Sequence, residues 1–144
     1  MSGRLLRLAS VLALAASAFV VGTPSQATPA ACASSCTVKA DTNAGYIAPA
    51  IEVTSGADVS WLPTTTSHPT AESFGLDPCF QVAVGPSAPV VPVVFTSSAT
   101  GVTATVNGES KPCASAHSIG DAAWAITYHC QLHFWMNGTV VVDR

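Results

Sequence analysis

The chain has 144 residues, of which 49% are hydrophobic and only 9% charged, with a formal net charge of −3. This length favours one domain, the acidic balance excludes the basic footprint of a nucleic-acid-binding protein, and the low charge excludes a disordered tail protein. Ten glycines and ten prolines interrupt long helices and favour short strands. The five cysteines are an odd number, so in an exported chain one thiol is left without a partner.

The first 27 residues have the pattern of a secretory signal peptide. Arg4 and Arg7 precede the apolar run 11–21, and small residues follow that run. The run is too short and too rich in Ala and Ser for a membrane anchor. We therefore expect cleavage after residue 27, or as late as residue 30. The mature chain would keep three basic and eight acidic residues, a net charge of −5. It would reach a secreted, periplasmic or other extracytoplasmic compartment, where disulfides form.

After the signal, residues 28–45 are small and polar, and we expect a flexible N-terminal segment ahead of a single domain over 46–144. Within that domain, alternating or apolar stretches predict a series of short strands. These lie at 46–53, 57–62, 80–84, 90–95, 102–106, 122–128 and 139–142.

The turn residues between these strands indicate the fold class. Pro92 favours an edge position or a break, and Asn107-Gly108 is a strong hairpin signal. No window of the mature chain shows a clean helical period. Short strands separated by Gly and Pro turns predict an all-β fold, a β-sandwich with Greek-key connections. We expect Trp61 and Trp124 to be core residues.

One short stretch, YHCQLHFWMNGTVVV, carries residues with metal chemistry. Cys130, His133 and Met136 follow one another as Cys-x-x-His-x-x-Met in a loop between two predicted strands, and His68 follows an earlier strand. Soft sulfur ligands select copper, and a His₂Cys site with a weak axial Met is a blue-copper electron-transfer site. The set therefore predicts one type 1 copper ion per chain.

These residues also resemble a known family. Residues 128–142 are similar to the C-terminal signature of the cupredoxins, a family with amicyanin-like and plastocyanin-like members. The short ligand loop most resembles that of the amicyanin-like members, because the plastocyanin-like members carry a longer gap before the Met. The upstream stretch GADVSWLPTTTSHPT resembles the strand–Trp–loop–His segment of the same family. The resemblance covers about a quarter of the mature chain and implies four copper ligands, an antiparallel Greek-key sandwich and single-electron transfer. The implied ligands are His68, Cys130, His133 and Met136.

One residue departs from the family pattern, and two other histidines compete for a role. Pro69 stands where family members usually have Asn or Thr, whose backbone N–H helps to donate to the thiolate, and proline has no N–H. This departure bears on the reduction potential. His117 is the competing upstream ligand, but it lies in a polar stretch without strand context. His129 should point to the opposite side of its strand from Cys130.

The remaining cysteines are available for disulfides. We pair Cys79 with Cys113, which flank the central strands, and Cys32 with Cys36. Four cysteines allow three connectivities, so the other two pairings stay open. Asn137-Gly138-Thr139 is a formal glycosylation sequon, and an unused sequon is the interpretation we favour because a glycan there would crowd the metal edge.

The expected function is a secreted electron carrier, not an enzyme. His133 would be the electron port, and an apolar patch of Leu132, Phe134 and Trp135 around it suits weak docking to a redox donor and acceptor. We expect a monomer without a membrane span and without nucleic acid. An oxidase or a nitrite reductase would need further His ligands, and a binuclear copper centre would need a second Cys in the loop. A zinc site is disfavoured because zinc prefers ligands other than a thioether. An extracytoplasmic copper carrier or storage protein with the same ligands is the alternative function, and a metal-free interaction domain is a third.

Overall fold

The structure, a computed structural model, describes residues 28–73 and 76–144. The predicted signal peptide, residues 1–27, lies outside the described residues. Within the described part every regular element is a strand. No helix there is long and apolar enough to cross a membrane. The all-β class predicted from the sequence is therefore confirmed.

Thirteen strands are present in the described residues, and several of them alternate between buried and exposed side chains as a half-buried strand must. Their bounds are β1 Ala30–Cys32, β2 Ser35–Asp41, β3 Gly45–Ile47, β4 Ala50–Val53, β5 Asp58–Pro63, β6 Thr70–Glu72, β7 Gln81–Val82, β8 Val93–Ser98, β9 Gly101–Val106, β10 Glu109–Pro112, β11 His117–Ile119, β12 Ala123–Cys130 and β13 Asn137–Asp143.

The strands form two sheets. One has the order β1-β4-β13-β12-β6-β7, with β11 also paired to β12, and the other has the order β10-β9-β8-β5-β2-β3. The long strand β12 pairs with β11 through its first half and with β6 through its second half. This second half ends at Cys130, so β6 lies directly beside the end of the strand that carries the cysteine.

Both sheets are mixed, and the wholly antiparallel prediction is wrong. The pairs β1–β4, β4–β13 and β2–β5 are parallel. In β1–β4 and β2–β5, the chain visits the other sheet between the two partners and returns in the original direction. Alternation of apolar residues identifies a strand but carries no information about its direction. The Greek-key connectivity stays a prediction.

The hairpin predicted at Asn107-Gly108 is confirmed. Both residues have positive φ, 51° and 83°, and they join β9 to β10. Positive φ at both central residues is the condition of a type I′ turn, which matches the twist of the flanking strands.

The core between the sheets contains a chain of aromatic contacts. Trp61 is buried, as predicted, and its ring lies 5.2 Å from that of Phe80 and 5.2 Å from that of Tyr128. Tyr46 packs edge-on against Tyr128 with 4.9 Å between ring centroids. Trp124 differs from the prediction, because it is only partly buried and packs against the rim of the core. Its indole donates to Ser98 O, and the Arg144 guanidinium lies over its ring.

The N-terminal segment 28–45 also differs from the prediction, because most of it belongs to the sandwich. In β2, Cys36, Val38 and Ala40 are fully buried between exposed neighbours. The alternation was present in the sequence, but small residues and a cysteine obscured it. Pro92 does mark a break: the fourth predicted strand begins only at Val93, one residue after the proline.

Candidate metal centre

The loop between β12 and β13 gathers three of the predicted ligands. Cys130 ends β12 and is buried, and the Cys130 N–H donates to Met136 O over 3.0 Å. Inside the loop the Met136 N–H donates to His133 O over 2.9 Å. These two bonds close the loop into a compact turn, so residues three apart in the sequence face the same space.

The fourth residue, His68, is brought there by strand β6. Thr70 pairs with Cys130 in the β6–β12 ladder, which sets the segment just before Thr70 beside the cysteine. The His68 N–H donates to Val84 O over 2.6 Å, and Pro69 O accepts the Gln131 N–H over 2.8 Å. Backbone bonds on both sides therefore fix the His68 segment against the ligand loop.

The ring nitrogens and the sulfur form a small triangle. His68 Nδ1 lies 3.2 Å from His133 Nδ1 and 3.9 Å from Cys130 Sγ, and His133 Nδ1 lies 3.4 Å from Cys130 Sγ. Two metal–nitrogen bonds of about 2.0–2.1 Å span at most about 4.0–4.2 Å, and one such bond with a metal–sulfur bond of about 2.3 Å spans at most about 4.3–4.4 Å. Every edge is shorter than that, so one ion can contact all three atoms.

The side chain of His68 has no exposed surface. Its Nε2 lies 3.0 Å from Thr66 Oγ1 and 3.4 Å from Thr42 Oγ1. Burial first, and then the neighbouring His133, lower the pKa of His68 from its ordinary value of 6.5, while Asp41 acts in the opposite direction. A lowered pKa favours the neutral imidazole, which is the form that binds metal.

The backbone of His68 is held by a second set of hydroxyl groups. The Thr70 hydroxyl donates to His68 O over 2.9 Å, and Tyr46 Oη lies 2.8 Å from Thr70 Oγ1. Burial raises the pKa of Tyr46, so its phenol keeps its proton and donates to Thr70. No sequence pattern identifies these partners, because they come from separate strands and hydroxyl residues are common in loops.

Met136 is 1% exposed and belongs to the same buried group as Cys130. A side-chain carbon at Gly45, in β3 of the other sheet, would lie 3.9 Å from Met136 Cγ. The thioether side chain therefore extends from the ligand loop toward the other sheet. The sulfur donors in this part of the molecule are those of Cys130 and Met136.

The three residues predicted to form a docking patch are exposed. Leu132 is 63%, Phe134 85% and Trp135 53% exposed, and neither aromatic side chain folds inward. The Trp135 ring stands edge-on to that of His133, with 5.1 Å between centroids. The loop 131–136 contains no charged residue.

The five cysteines, all within the described residues, are divided as four and one. Cys32 is joined to Cys36 and Cys79 to Cys113, and Cys130 is free. The pairs are those expected from the sequence.

A second group of potential ligand atoms, Glu72 with Cys79 and Cys113, is a structural clamp. Its sulfurs are bonded to each other, and both carboxylate oxygens accept backbone N–H groups. Glu72 Oε2 accepts the N–H of Cys79 over 2.7 Å, and Oε1 accepts that of Ser115 over 2.6 Å.

The competing histidines lie elsewhere. His117 is exposed on the edge strand β11, where its Nδ1 contacts Ser115 O. His129 is half-buried on β12 beside Cys130, and its Nδ1 is buried without a hydrogen-bond partner in the described residues. Asn137 is exposed, and its amide donates to Phe134 O.

The chain was compared with protein-family models, curated proteins and solved structures, and none of these comparisons gives a match.

Proposed function

We propose that the mature chain is a secreted type 1 blue-copper protein, a cupredoxin in function, which carries single electrons between redox partners. The observation that carries the proposal is the triangle of two Nδ1 atoms and one Sγ, with edges of 3.2, 3.4 and 3.9 Å. A buried methionine belongs to the same loop, and the other four cysteines are paired. This donor set fits copper, because thiolate and thioether are soft ligands and two imidazoles complete a His₂Cys site.

In this proposal His68 and His133 hold the ion through Nδ1, Cys130 through its thiolate and Met136 through its thioether. The bound ion supplies a one-electron couple between Cu(I) and Cu(II). The chain supplies a fixed set of donors: the loop is closed by the Cys130–Met136 backbone bond, and His68 is fixed by the β6–β12 ladder. Donors that do not move between the two states leave little reorganisation to accompany the electron.

The surface around His133 supports a transient encounter with a partner. Leu132, Phe134 and Trp135 together expose an apolar surface next to the half-buried His133. An uncharged apolar patch suits weak, short-lived docking, which an electron carrier needs for turnover. The donor and acceptor are thus proposed to be redox proteins that bind this patch, and the chain to act as a monomer that is not itself an enzyme.

The proposed location follows from the N-terminal pattern and the cysteines. Two disulfides and one buried free thiol suit an oxidising compartment. The other four cysteines are paired, so Cys130 has no partner within the chain for a disulfide, and its sulfur would bind a metal as the thiolate.

The test is to add Cu(II) to the mature protein and record the visible spectrum. We expect an intense thiolate-to-copper charge-transfer band that Cys130→Ser abolishes. His68→Gln and His133→Gln should weaken or shift the band, and His117→Gln, at an exposed histidine outside the triangle, should leave it unchanged. A colourless protein, or a band that survives Cys130→Ser, overturns the proposal.

The electron self-exchange rate distinguishes the proposed function, electron transfer, from the alternative, copper transport or storage. Fast exchange without metal loss is expected. Slow exchange with ready transfer of copper to a chelator would favour the copper carrier or storage protein.

A further inference from the structure

We propose that Thr66, supported by Thr42, is a positioning residue for His68. Its hydroxyl accepts the Nε2–H of the imidazole and keeps the Nδ1 lone pair directed at Cys130 and His133. The ligand role of His68 rests on the proposed copper site, whereas the hydrogen bonds that hold its ring are present in the metal-free chain.

The contacts single out these two hydroxyl groups. Thr66 Oγ1 lies 3.0 Å and Thr42 Oγ1 3.4 Å from His68 Nε2, and the two oxygens lie 2.5 Å from each other. In the described part of the chain they are the hydrogen-bond partners of Nε2. Because the His68 side chain is fully buried, Nε2 depends on them for its hydrogen bond.

The direction of the hydrogen bonds follows from the chemistry of the ring. A neutral imidazole has one N–H and one lone pair, so a ring that offers its lone pair at Nδ1 carries its proton at Nε2. That N–H must donate, and the nearer oxygen, Thr66 Oγ1, accepts it. The Thr66 hydroxyl then donates to Thr42. The opposite tautomer would place an N–H at Nδ1, 3.9 Å from Cys130 Sγ, where a lone pair is needed.

The two threonines are themselves held in place by Asp41. Its carboxylate accepts the N–H groups of Asn43 and Ala44 over 2.8 and 2.9 Å. It also accepts the Thr64 hydroxyl over 2.9 Å. One side chain thereby ties the turn that carries Thr42 to the segment that carries Thr66. The acceptor for Nε2 is thus built before any metal arrives, as partners of metal-binding histidines commonly are.

The chain offers a matched control. Thr65 is exposed, lies next to Thr66 and makes no side-chain hydrogen bond in the described structure. Thr66→Val and Thr65→Val therefore remove the same hydroxyl from adjacent residues of one loop. Thr66→Ser restores the hydroxyl without the methyl group. Thr42→Val removes the more distant partner.

The first measurement uses the metal-free, folded protein at pH 8. Long-range ¹H–¹⁵N spectra report which ring nitrogen of His68 carries the proton. We expect the Nε2–H tautomer in the wild type, Thr65→Val and Thr66→Ser, and a mixture of tautomers in Thr66→Val. An unchanged tautomer in Thr66→Val overturns the inference, whatever the protein does with copper.

The second measurement is the Cu(I) affinity, by competition with a chromophoric chelator. Loss of a partner of a metal-binding histidine typically weakens affinity about 10–100-fold. We expect that loss in Thr66→Val, a smaller one in Thr42→Val, and wild-type affinity in Thr65→Val and Thr66→Ser. Equal affinities in Thr66→Val and Thr65→Val would overturn the positioning role while the copper site stands. A wild type that binds no copper, yet shows the expected tautomers, would overturn the copper site and leave the hydrogen bond standing.

Discussion

The ring of Tyr128 lies across Gly138, its direct partner in the β12–β13 ladder. A side-chain carbon at residue 138 would overlap Tyr128 Cζ and Oη and would lie 2.5 Å from Pro49 O. The Tyr128 hydroxyl donates to that same carbonyl over 3.1 Å. Gly138 must therefore lack a side chain, because the ring of Tyr128 fills the space that a side chain would occupy.

This relationship predicts that Gly138→Ala destabilises the protein. The ring cannot retreat, because it is buried against Trp61 and Tyr46. Overpacking of this kind costs about 1–3 kcal/mol. The measurement is urea unfolding of the metal-free protein. Thr139→Ala, at the next residue of the same strand, should change the unfolding free energy by about 0.5 kcal/mol or less. Equal effects of the two variants would contradict the argument.

How far the sequence could predict the site depends on where each residue comes from. Cys130, His133 and Met136 lie within one loop, so their spacing alone placed them together. His68 required its strand-and-loop context, since its approach depends on the β6–β12 register, and β6 has only three residues. Thr42 and Thr66 could not be predicted, because hydroxyl groups from two loops meet only after β2 and β5 pair.

The same reasoning explains the errors in the fold. Alternation of apolar residues located β5, β9 and β12, where Val, Trp, Ile and Tyr mark the buried face. It could not give the direction of β2 beside β5, because direction is set by how the chain crosses between sheets. In β2 the buried residues include Cys36 and Ala40, whose weak hydrophobic signal resembles that of a polar segment.

A second glycine, Gly85, lies beside the segment that carries His68. A side-chain carbon at Gly85 would lie 2.9 Å from Ser67 Oγ but 3.7 Å from Ser67 Cβ. Ser67 precedes His68, whose N–H bonds to Val84 O, just before the glycine. Ser67 is exposed, and its hydroxyl can rotate away from a carbon at residue 85 without moving the backbone. We therefore expect Gly85→Ala to leave the His68 segment in place and Cu(I) affinity unchanged.

Ser67→Ala tests whether the hydroxyl is free to turn away. Removing Oγ leaves the ordinary contacts with Ser67 Cβ at 3.7 Å and Ala88 Cβ at 3.9 Å. Gly85→Ala alone and Gly85→Ala combined with Ser67→Ala should therefore bind Cu(I) equally well, as measured by competition with a chelator. A loss in Gly85→Ala that Ser67→Ala reverses would be a coupling between the two residues and would show that the hydroxyl cannot turn away.

The lowered pKa of His68 makes the stability of the metal-free protein depend on pH. Below about pH 6.5 the imidazole of His68 takes up a proton more readily in the unfolded chain than in the folded protein. The unfolding free energy should therefore fall as pH drops below about 6.5, and it should reach its plateau above that pH. Urea midpoints between pH 8 and pH 5 measure the effect.

Two histidine variants identify the origin of this pH dependence. His68→Gln should flatten the profile, because the buried titrating ring is gone. His117→Gln removes an exposed ring on β11 and should leave the profile as in the wild type. A profile that keeps its slope in His68→Gln would assign the dependence to another group.

The two disulfides should contribute unequally to stability. Cys79 and Cys113 are 34 residues apart, whereas Cys32 and Cys36 are four apart. In the chain-entropy description, closing the longer loop stabilises by about 4 kcal/mol and the shorter by about 2 kcal/mol. Replacing both members of a pair by alanine and measuring urea unfolding of the metal-free protein tests this difference.

The longer bridge also lies beside the Glu72 carboxylate, which bonds to the Cys79 N–H and to the Ser115 N–H. Loss of Cys79–Cys113 should therefore also loosen this carboxylate clamp. The unfolding free energy should fall more on loss of Cys79–Cys113 than on loss of Cys32–Cys36, by at least the difference in loop-closure entropy. A larger cost for Cys32–Cys36 would show that the crossing between β1 and β2 limits the stability of the fold.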